Sequence, residues 1–310
     1  MGRNHDAEEI LRNTYQAASE VIANSGINPA DVLSVAVTNQ RETVVVWDKR
    51  TGKPVCHAVV WQCNRGAGIC EKLVADGQEP MVRNKTGLLL NPYFSASGIQ
   101  WILDNVPGAR ENAEAGQLLF GTVDTWLIWN FTQGTVHATD YTNASRTLLF
   151  NIHTLKFDPE LLNLFHIPLS MAPEPMPCDR IFGTTTLNGL LPVTPIAGVL
   201  GDSHGALAGQ MCFSKGMGKA TYGTGSSIML PFSVNLTVQP SWMVNVELTL
   251  RAQSMIWVEP ASHIVGVAMM LLSVPMTLPS PPSGSVVVPS HPAKPVTQKT
   301  TKDKSSIGLM

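Results

Sequence analysis

The sequence predicts a mixed α/β fold, and three observations carry that expectation. A helical stretch over residues 6–25 is followed by a short apolar run of strand length, Val32–Thr38. Two β-branched-rich runs, Thr43–Trp47 and Val55–Trp61, flank the polar string Asp48–Lys53. A second buried-strand run, Pro192–Leu200, ends in Gly201-Asp202-Ser203-His204-Gly205 and leads into helix. Strand–helix–strand rhythm with hairpins embedded in it belongs to a sheet covered by helices.

Each element has a local reason. In residues 6–25, Leu11, Tyr15, Ala18 and Ile22 share one face, and Gly26 supplies a stop. Val32–Thr38 passes into the polar string Thr38-Asn39-Gln40-Arg41-Glu42. Asp48-Lys49-Arg50-Thr51-Gly52-Lys53 reads as a hairpin turn, because Asp and Gly favour the backbone conformations a turn needs. Ser95–Asp104 and Asp124–Asn130 have helical patterning, and Ala206–Gln210 reads as the helix after the second strand. Residues 232–272 show no sustained period. Residues 275–310 carry seven prolines and a basic end, so disorder is expected there.

Composition narrows the function. The 310 residues hold 21 Lys+Arg and 23 Asp+Glu, a net charge of −2 that gives nucleic acid or an anionic membrane nothing to grip. Charged residues make up only 14%, against roughly 25% in an average soluble protein. The deficit has an address: residues 1–231 hold 16 basic and 20 acidic groups, whereas residues 232–310 hold 5 and 3. No secretory signal is read in MGRNHDAEEILRN, and the apolar run Ile264–Val274 is far short of the roughly 20 residues that span a bilayer. Cys56, Cys63, Cys70, Cys178 and Cys212 form no CxxC pair, which predicts reduced thiols, a cytoplasmic location and no metal site.

Three places put polar groups where α/β folds hold ligands, at the carboxyl ends of strands. Arg41-Glu42 reads either as a surface ion pair or as a donor–acceptor pair gripping neighbouring hydroxyls of a polyol. Asp202 reads either as a helix N-cap or as a carboxylate that accepts a proton from a hydroxyl attacking phosphorus. His204 is a rival base, with a solvated or core-satisfied imidazole as its plainer reading. Lys219-Ala220-Thr221-Tyr222-Gly223-Thr224-Gly225-Ser226-Ser227 reads either as a β-hairpin turn or as a backbone cradle for phosphate; it lacks the order of a P-loop.

Four longer strings, Val37–Arg65, Gly121–Leu155, Gly201–Gln210 and Gly216–Ser227, resemble in order and separation the glycerol kinases of the FGGY carbohydrate kinase family. The resemblance covers about residues 5–230. It implies two ribonuclease-H-like, actin-like domains closing over a cleft, and transfer of the ATP γ-phosphate to glycerol with Mg2+ on the phosphates. It matches Arg41 and Glu42 to glycerol hydroxyls, Trp61 and Tyr93 to the aromatic wall of the glycerol pocket, and Asp202 to the catalytic base. Ser203 stands beside that base as a substrate contact, and Gly223 and Thr224 match nucleotide-phosphate contacts. A homo-oligomer is expected by the same resemblance.

The departures are specific. Ser203-His204 replaces Gln-Gln, Ser227 stands where an aromatic often closes the pocket, and Gly98 stands where Lys is usual. The family's opening phosphate hairpin is expected before residue 5, and resemblance fades near Met229–Pro231. The expected organisation is therefore an incomplete N-terminal kinase domain over 1–212, the start of the second domain over 213–231, and a non-family tail over 232–310. Two alternatives stand: a non-catalytic remnant with residual polyol binding, or another FGGY sugar kinase.

Overall fold

The computed structural model describes residues 4–214, 217–222, 226–229 and 267–273. The expected tail over residues 275–310 lies outside the described residues, as do Gly223 and Thr224.

The chain opens with β1 (Asn4–His5) and α1 (Ala7–Ser25). Asp6 caps α1 by accepting the Glu8 N–H, and Gly26 closes it with φ +69°, a conformation open to glycine at no steric penalty. The buried stripe is Ala7, Ile10, Thr14 and Ala18, with Leu11, Tyr15 and Ile22 on its flank. The predicted face is thus rotated by about one residue, since helical spacing fixes a stripe only to within its neighbours.

β2 (Val32–Asn39) runs into the Arg41-Glu42 turn and then β3 (Val44–Asp48). The predicted hairpin forms: β3 pairs antiparallel with β4 (Ala58–Val59), and Asp48 Oδ1 accepts the Arg50 N–H at 2.7 Å inside the turn. Only Ala58–Val59 of the expected second strand is regular. Four helices follow: α2 (Ala67–Ala75), α3 (Glu79–Thr86), α4 (Ser95–Asn105) and α5 (Ala109–Glu114). β5 (Leu118–Thr122), fully buried, completes one four-stranded sheet in the order β1-β4-β3-β5.

α6 (Val123–Phe131) forms where helical patterning was expected over Asp124–Asn130, and it is buried almost all round. β6 (Ala138–Asp140), α7 (Tyr141–Ala144), β7 (Phe150–Asn151), β8 (Lys156–Phe157), α8 (Pro159–Leu164), β9 (Glu174–Met176) and β10 (Thr184–Thr185) fill the connection to β11 (Thr194–Gly201). α9 (Asp202–Gly209) begins four residues before the predicted helix. The hairpin of β12 (Lys219–Tyr222) and β13 (Ser226–Met229) is antiparallel, with Tyr222 opposite Ser226.

β14 (Val267–Ser273) pairs antiparallel with β2 and gives the second sheet its order, β10-β11-β2-β14. It lies in a stretch read as having no period. A continuous apolar run carries neither a period of 2 nor one of 3.6, so periodicity alone cannot register it.

Two main cores hold these sheets. One gathers Val44, Val46, Phe120, Ile99, Ile102, Leu103 and Phe150 between the first sheet and α4. The other packs Val35, Val37, Ile196 and Val199 of the second sheet against α1 and α6 through Ile10, Leu127 and Phe131. Each such fully buried side chain contributes about 1.5–3 kcal/mol before chain entropy is counted. The consequence for function lies in the register: β11 and β2 are parallel, with Gly201 opposite Asn39, so both strands end at one level.

Candidate active site

That shared end brings together residues 161 positions apart. Arg41 and Glu42 leave β2 just as Asp202 leaves β11, and Arg41 Nε stands 3.5 Å from Asp202 Oδ1. Gly201 makes this possible, because a Cβ there would collide with Arg41 Cδ and Cγ. Arg41 lies across the glycine and reaches the carboxylate. The Asp202 side chain is 55% exposed, open to a ligand. Asp202 is the first residue of α9, whose N-cap is Gly201, so the carboxylate does not serve as the cap. Its Oδ1 accepts the Ser203 N–H at 2.6 Å.

Glu42 behaves quite unlike a surface group. It is 4% exposed and adopts φ +64°, while the Thr43 N–H donates to Arg41 O at 2.7 Å across it. This is a γ-turn of the strained, positive-φ kind, held because its surroundings over-determine it. Ser95 Oγ donates to Glu42 O at 2.8 Å, and Arg146 Nε donates to Glu42 Oε1 at 2.6 Å. Arg41 and Glu42 are therefore not each other's ion pair: one faces Asp202 and the other Arg146. Burial pushes the Glu42 carboxyl up, while Arg41 and Arg146 pull it back down.

The aromatic wall assembles around the same arginine. The Arg146 guanidinium carbon lies 4.9 Å from the Phe94 ring centre and 5.8 Å from that of Tyr93. Trp61 and Tyr93 meet edge to face at 5.4 Å. Burial and the nearby Glu42 carboxylate push the Tyr93 phenol up, so it stays protonated and able to donate.

His204 differs from its expected state. It is neither solvated nor satisfied: neither ring nitrogen has a hydrogen-bond partner. Burial, with Arg41, Arg146 and Lys219 nearby, pushes it down to about 3, so it is neutral. Buried Lys219 is lowered by burial, while the Asp202 carboxylate opposes that shift.

Arg41, Glu42, Trp61, Tyr93, Asp202 and Ser203 thus converge; Gly223 and Thr224 lie outside the described residues, between β12 and β13, which neighbour α9. Sequence reading did not assign Arg146 or Ser95. Arg146 lies in the Gly121–Leu155 string, but nothing local marks it as the partner of a carboxylate 104 residues away. Among the described residues no group of three or more His, Cys, Asp or Glu is placed to hold a metal, and no helix is long and apolar enough to cross a membrane.

Residues 2–209 match the FGGY family of carbohydrate kinases, N-terminal domain. The chain belongs to the FGGY family of carbohydrate kinases. Similar members include a glycerol kinase of Shewanella amazonensis, 54% identical over 226 residues, covering 73% of this chain and 46% of that protein. Glycerol kinase 1 of Thermotoga maritima is 49% identical over 280 residues, covering 90% of this chain and 57% of that protein. Among solved structures, Plasmodium falciparum glycerol kinase with ADP superposes with TM-score 0.67 at 36% identity, over 73% of this chain and 46% of the other. A xylulose kinase from Lactobacillus acidophilus shares the fold, with TM-score 0.62 at 17% identity over 73% of this chain and 45% of that one. This FGGY chain spans about half the length of the curated relatives it matches. Its mixed α/β fold is thus that of the sugar kinases, the ribonuclease-H-like, actin-like type the sequence predicted.

Proposed function

We propose that the chain carries the glycerol-binding half of an ATP:glycerol 3-phosphotransferase, producing sn-glycerol 3-phosphate. The observation that carries this reading is the clamp at the strand ends: a buried Glu42 acceptor held by Arg146, one residue from an Arg41 that spans to exposed Asp202. Adjacent hydroxyls need a donor and an acceptor side by side. Glu42 accepts from one hydroxyl, Arg41 donates to its neighbour, and Trp61 and Tyr93 pack the carbon chain. A ligand lacking either hydroxyl leaves a buried polar group unpaired, which is how such a site discriminates.

Asp202 then accepts the proton of the terminal hydroxyl as its oxygen attacks the γ-phosphorus of ATP, and the bond from that phosphorus to the β–γ bridging oxygen breaks to release ADP. Ser203 stands beside it as a further substrate contact, and Gly223 with Thr224 receives the nucleotide phosphates. A Mg2+ ion carried by the ATP phosphates would supply charge neutralisation during transfer. Support for glycerol comes from relatives named glycerol kinase at 49–54% identity. Residues 1–212 form the N-terminal kinase domain on this reading, 213–231 begin the second, and 232–310 are a tail. The enzyme is assigned to the cytoplasm, as a homo-oligomer.

The test uses purified full chain. Calorimetric titration with glycerol and with xylulose gives saturable glycerol binding and weaker xylulose binding; the reverse order overturns the substrate. Incubation with glycerol and Mg-ATP gives glycerol 3-phosphate that disappears in Asp202→Asn. Glycerol binding without transfer leaves the chain the polyol-binding role alone.

A further inference from the structure

Asp140 is fully buried where β6 meets α7 and belongs to none of the groups assigned to the ligand. Its Oδ1 accepts from the Asn143 backbone N–H at 3.1 Å and from Asn143 Nδ2 at 2.7 Å; its Oδ2 accepts from the Thr142 N–H at 2.8 Å. The two backbone bonds are an ordinary N-cap. The rest is not. Both carboxyl oxygens accept from N–H groups here, and the bond from Nδ2 decides which way the Asn143 amide faces.

Facing that way, Asn143 forms a reciprocal amide pair with Asn39, at 3.2 Å from Asn143 Nδ2 to Asn39 Oδ1 and 3.0 Å in return. Asn39 Nδ2 also donates to Gln40 O at 2.9 Å, fixing the backbone that delivers Arg41. Thr142 serves a second arm, its Oγ1 accepting the Gly201 N–H at 2.8 Å, one residue before Asp202. The third arm is the short helix itself, which Asp140 caps and which leads within two residues to Arg146, the partner of Glu42.

We propose that Asp140 is the positioning residue of the polyol site, one buried carboxylate that sets the spacing of the Arg41, Asp202 and Arg146 arms. The inference rests on the glycerol-site reading above. Burial and the neighbouring Asp124 push Asp140 up to about 7, while the Thr142 and Asn143 donors pull it back down. Asp124 is itself buried and takes the Thr122 and Thr139 hydroxyls. The links to Asn39 and Gly201 span 104 and 59 residues, which local capping does not explain.

Amide hydrogen exchange on the full chain tests this directly. Asp140→Asn is expected to speed exchange about tenfold or more in residues 39–43 and at Gly201, with β3 and β5 unchanged. Thr142→Val opens Gly201 alone, Thr142→Ser keeps it closed, and Asn143→Ala opens residues 39–43 alone. Uniform acceleration across both sheets, or no change in the two segments, overturns the proposal. If Asp140→Asn fails to fold, the Thr142→Val and Thr142→Ser pair tests the Gly201 arm on its own, and equal exchange in those two variants overturns the proposal. Glycerol titration separates the two readings: wild type that binds no glycerol sinks the substrate assignment, while the exchange pattern still judges Asp140.

Discussion

Of the clusters that pair a carboxylate with a cation among the described residues, two are built to opposite ends. At the β7–α8 corner, Lys85 Nζ lies 2.9 Å from Asp158 Oδ1 and also reaches Glu160, while Asn151 Nδ2 donates to Asp158 Oδ2 at 2.8 Å. The N–H groups of Glu160 and Leu161 complete the carboxylate's shell. At the end of β2 the opposite holds. Of the ten buried side-chain polar atoms without a hydrogen-bond partner among the described residues, six belong to Thr38, Gln40, Arg41, Thr43 and His204. A buried donor or acceptor left unpaired costs about 1–3 kcal/mol, so a fold tolerates such a concentration where a ligand or water completes it. One cluster fastens the structure; the other, on the function proposed above, is completed by the polyol.

Mutations test that contrast. The largest effect is expected at Asp202→Asn, which removes the proton acceptor and lowers glycerol 3-phosphate formation by about 100-fold or more, with glycerol affinity nearly unchanged. Loss of affinity in step with rate would make Asp202 a binding group instead. Arg146→Met strands the Glu42 charge in a buried place and costs about 3–5 kcal/mol of stability, read as a shifted urea midpoint. Gly201→Ala pushes the Arg41 side chain aside. We expect roughly tenfold weaker glycerol binding, about 1.4 kcal/mol, with a thermal midpoint close to wild type because a flexible side chain gives way.

Acid separates the clusters by pH window. His204 is held near 3 by burial and its cationic neighbours, against 6.5 for an ordinary imidazole. The unfolded chain gains a proton below about 6.5 that the folded one refuses, so this contribution is intact above 6.5 and is lost as pH falls toward 3. His204→Gln should flatten the fall of the thermal midpoint between pH 6.5 and 4; an unchanged slope would place that titration elsewhere. Asp158 differs: burial pushes it up, but bonds from Asn151, Lys85 and the helix N–H groups hold it below 3.8. Its contribution is present above that value and lost only below it. The smallest effect belongs to Lys85→Met, about 1 kcal/mol, because Asn151 Nδ2 and the Glu160 and Leu161 N–H groups still pair Asp158 when the lysine is gone; glycerol binding is unaltered.

Much of this was legible in the linear chain. The helix over residues 6–25, the hairpin around Asp48–Lys53 and the two strands ending in Arg41-Glu42 and Asp202 follow from pattern and turn chemistry. These are short-range effects, and neighbours in sequence suffice to produce them. The apolar β14 was harder to read, because a continuous apolar run carries no alternation to mark its period.

What only the tertiary structure decided is which charge answers which. The sequence sets Arg41 beside Glu42 and invites pairing them, yet parallel register gives Arg41 to Asp202, and α7 brings Arg146 to Glu42. Asp140, an unremarked acid before Tyr141, becomes the junction of three arms only once Asn39 and Gly201 lie beside it. Electrostatic and hydrogen-bonding roles depend on distance through space, and over separations of 59 to 161 residues the fold alone sets that distance.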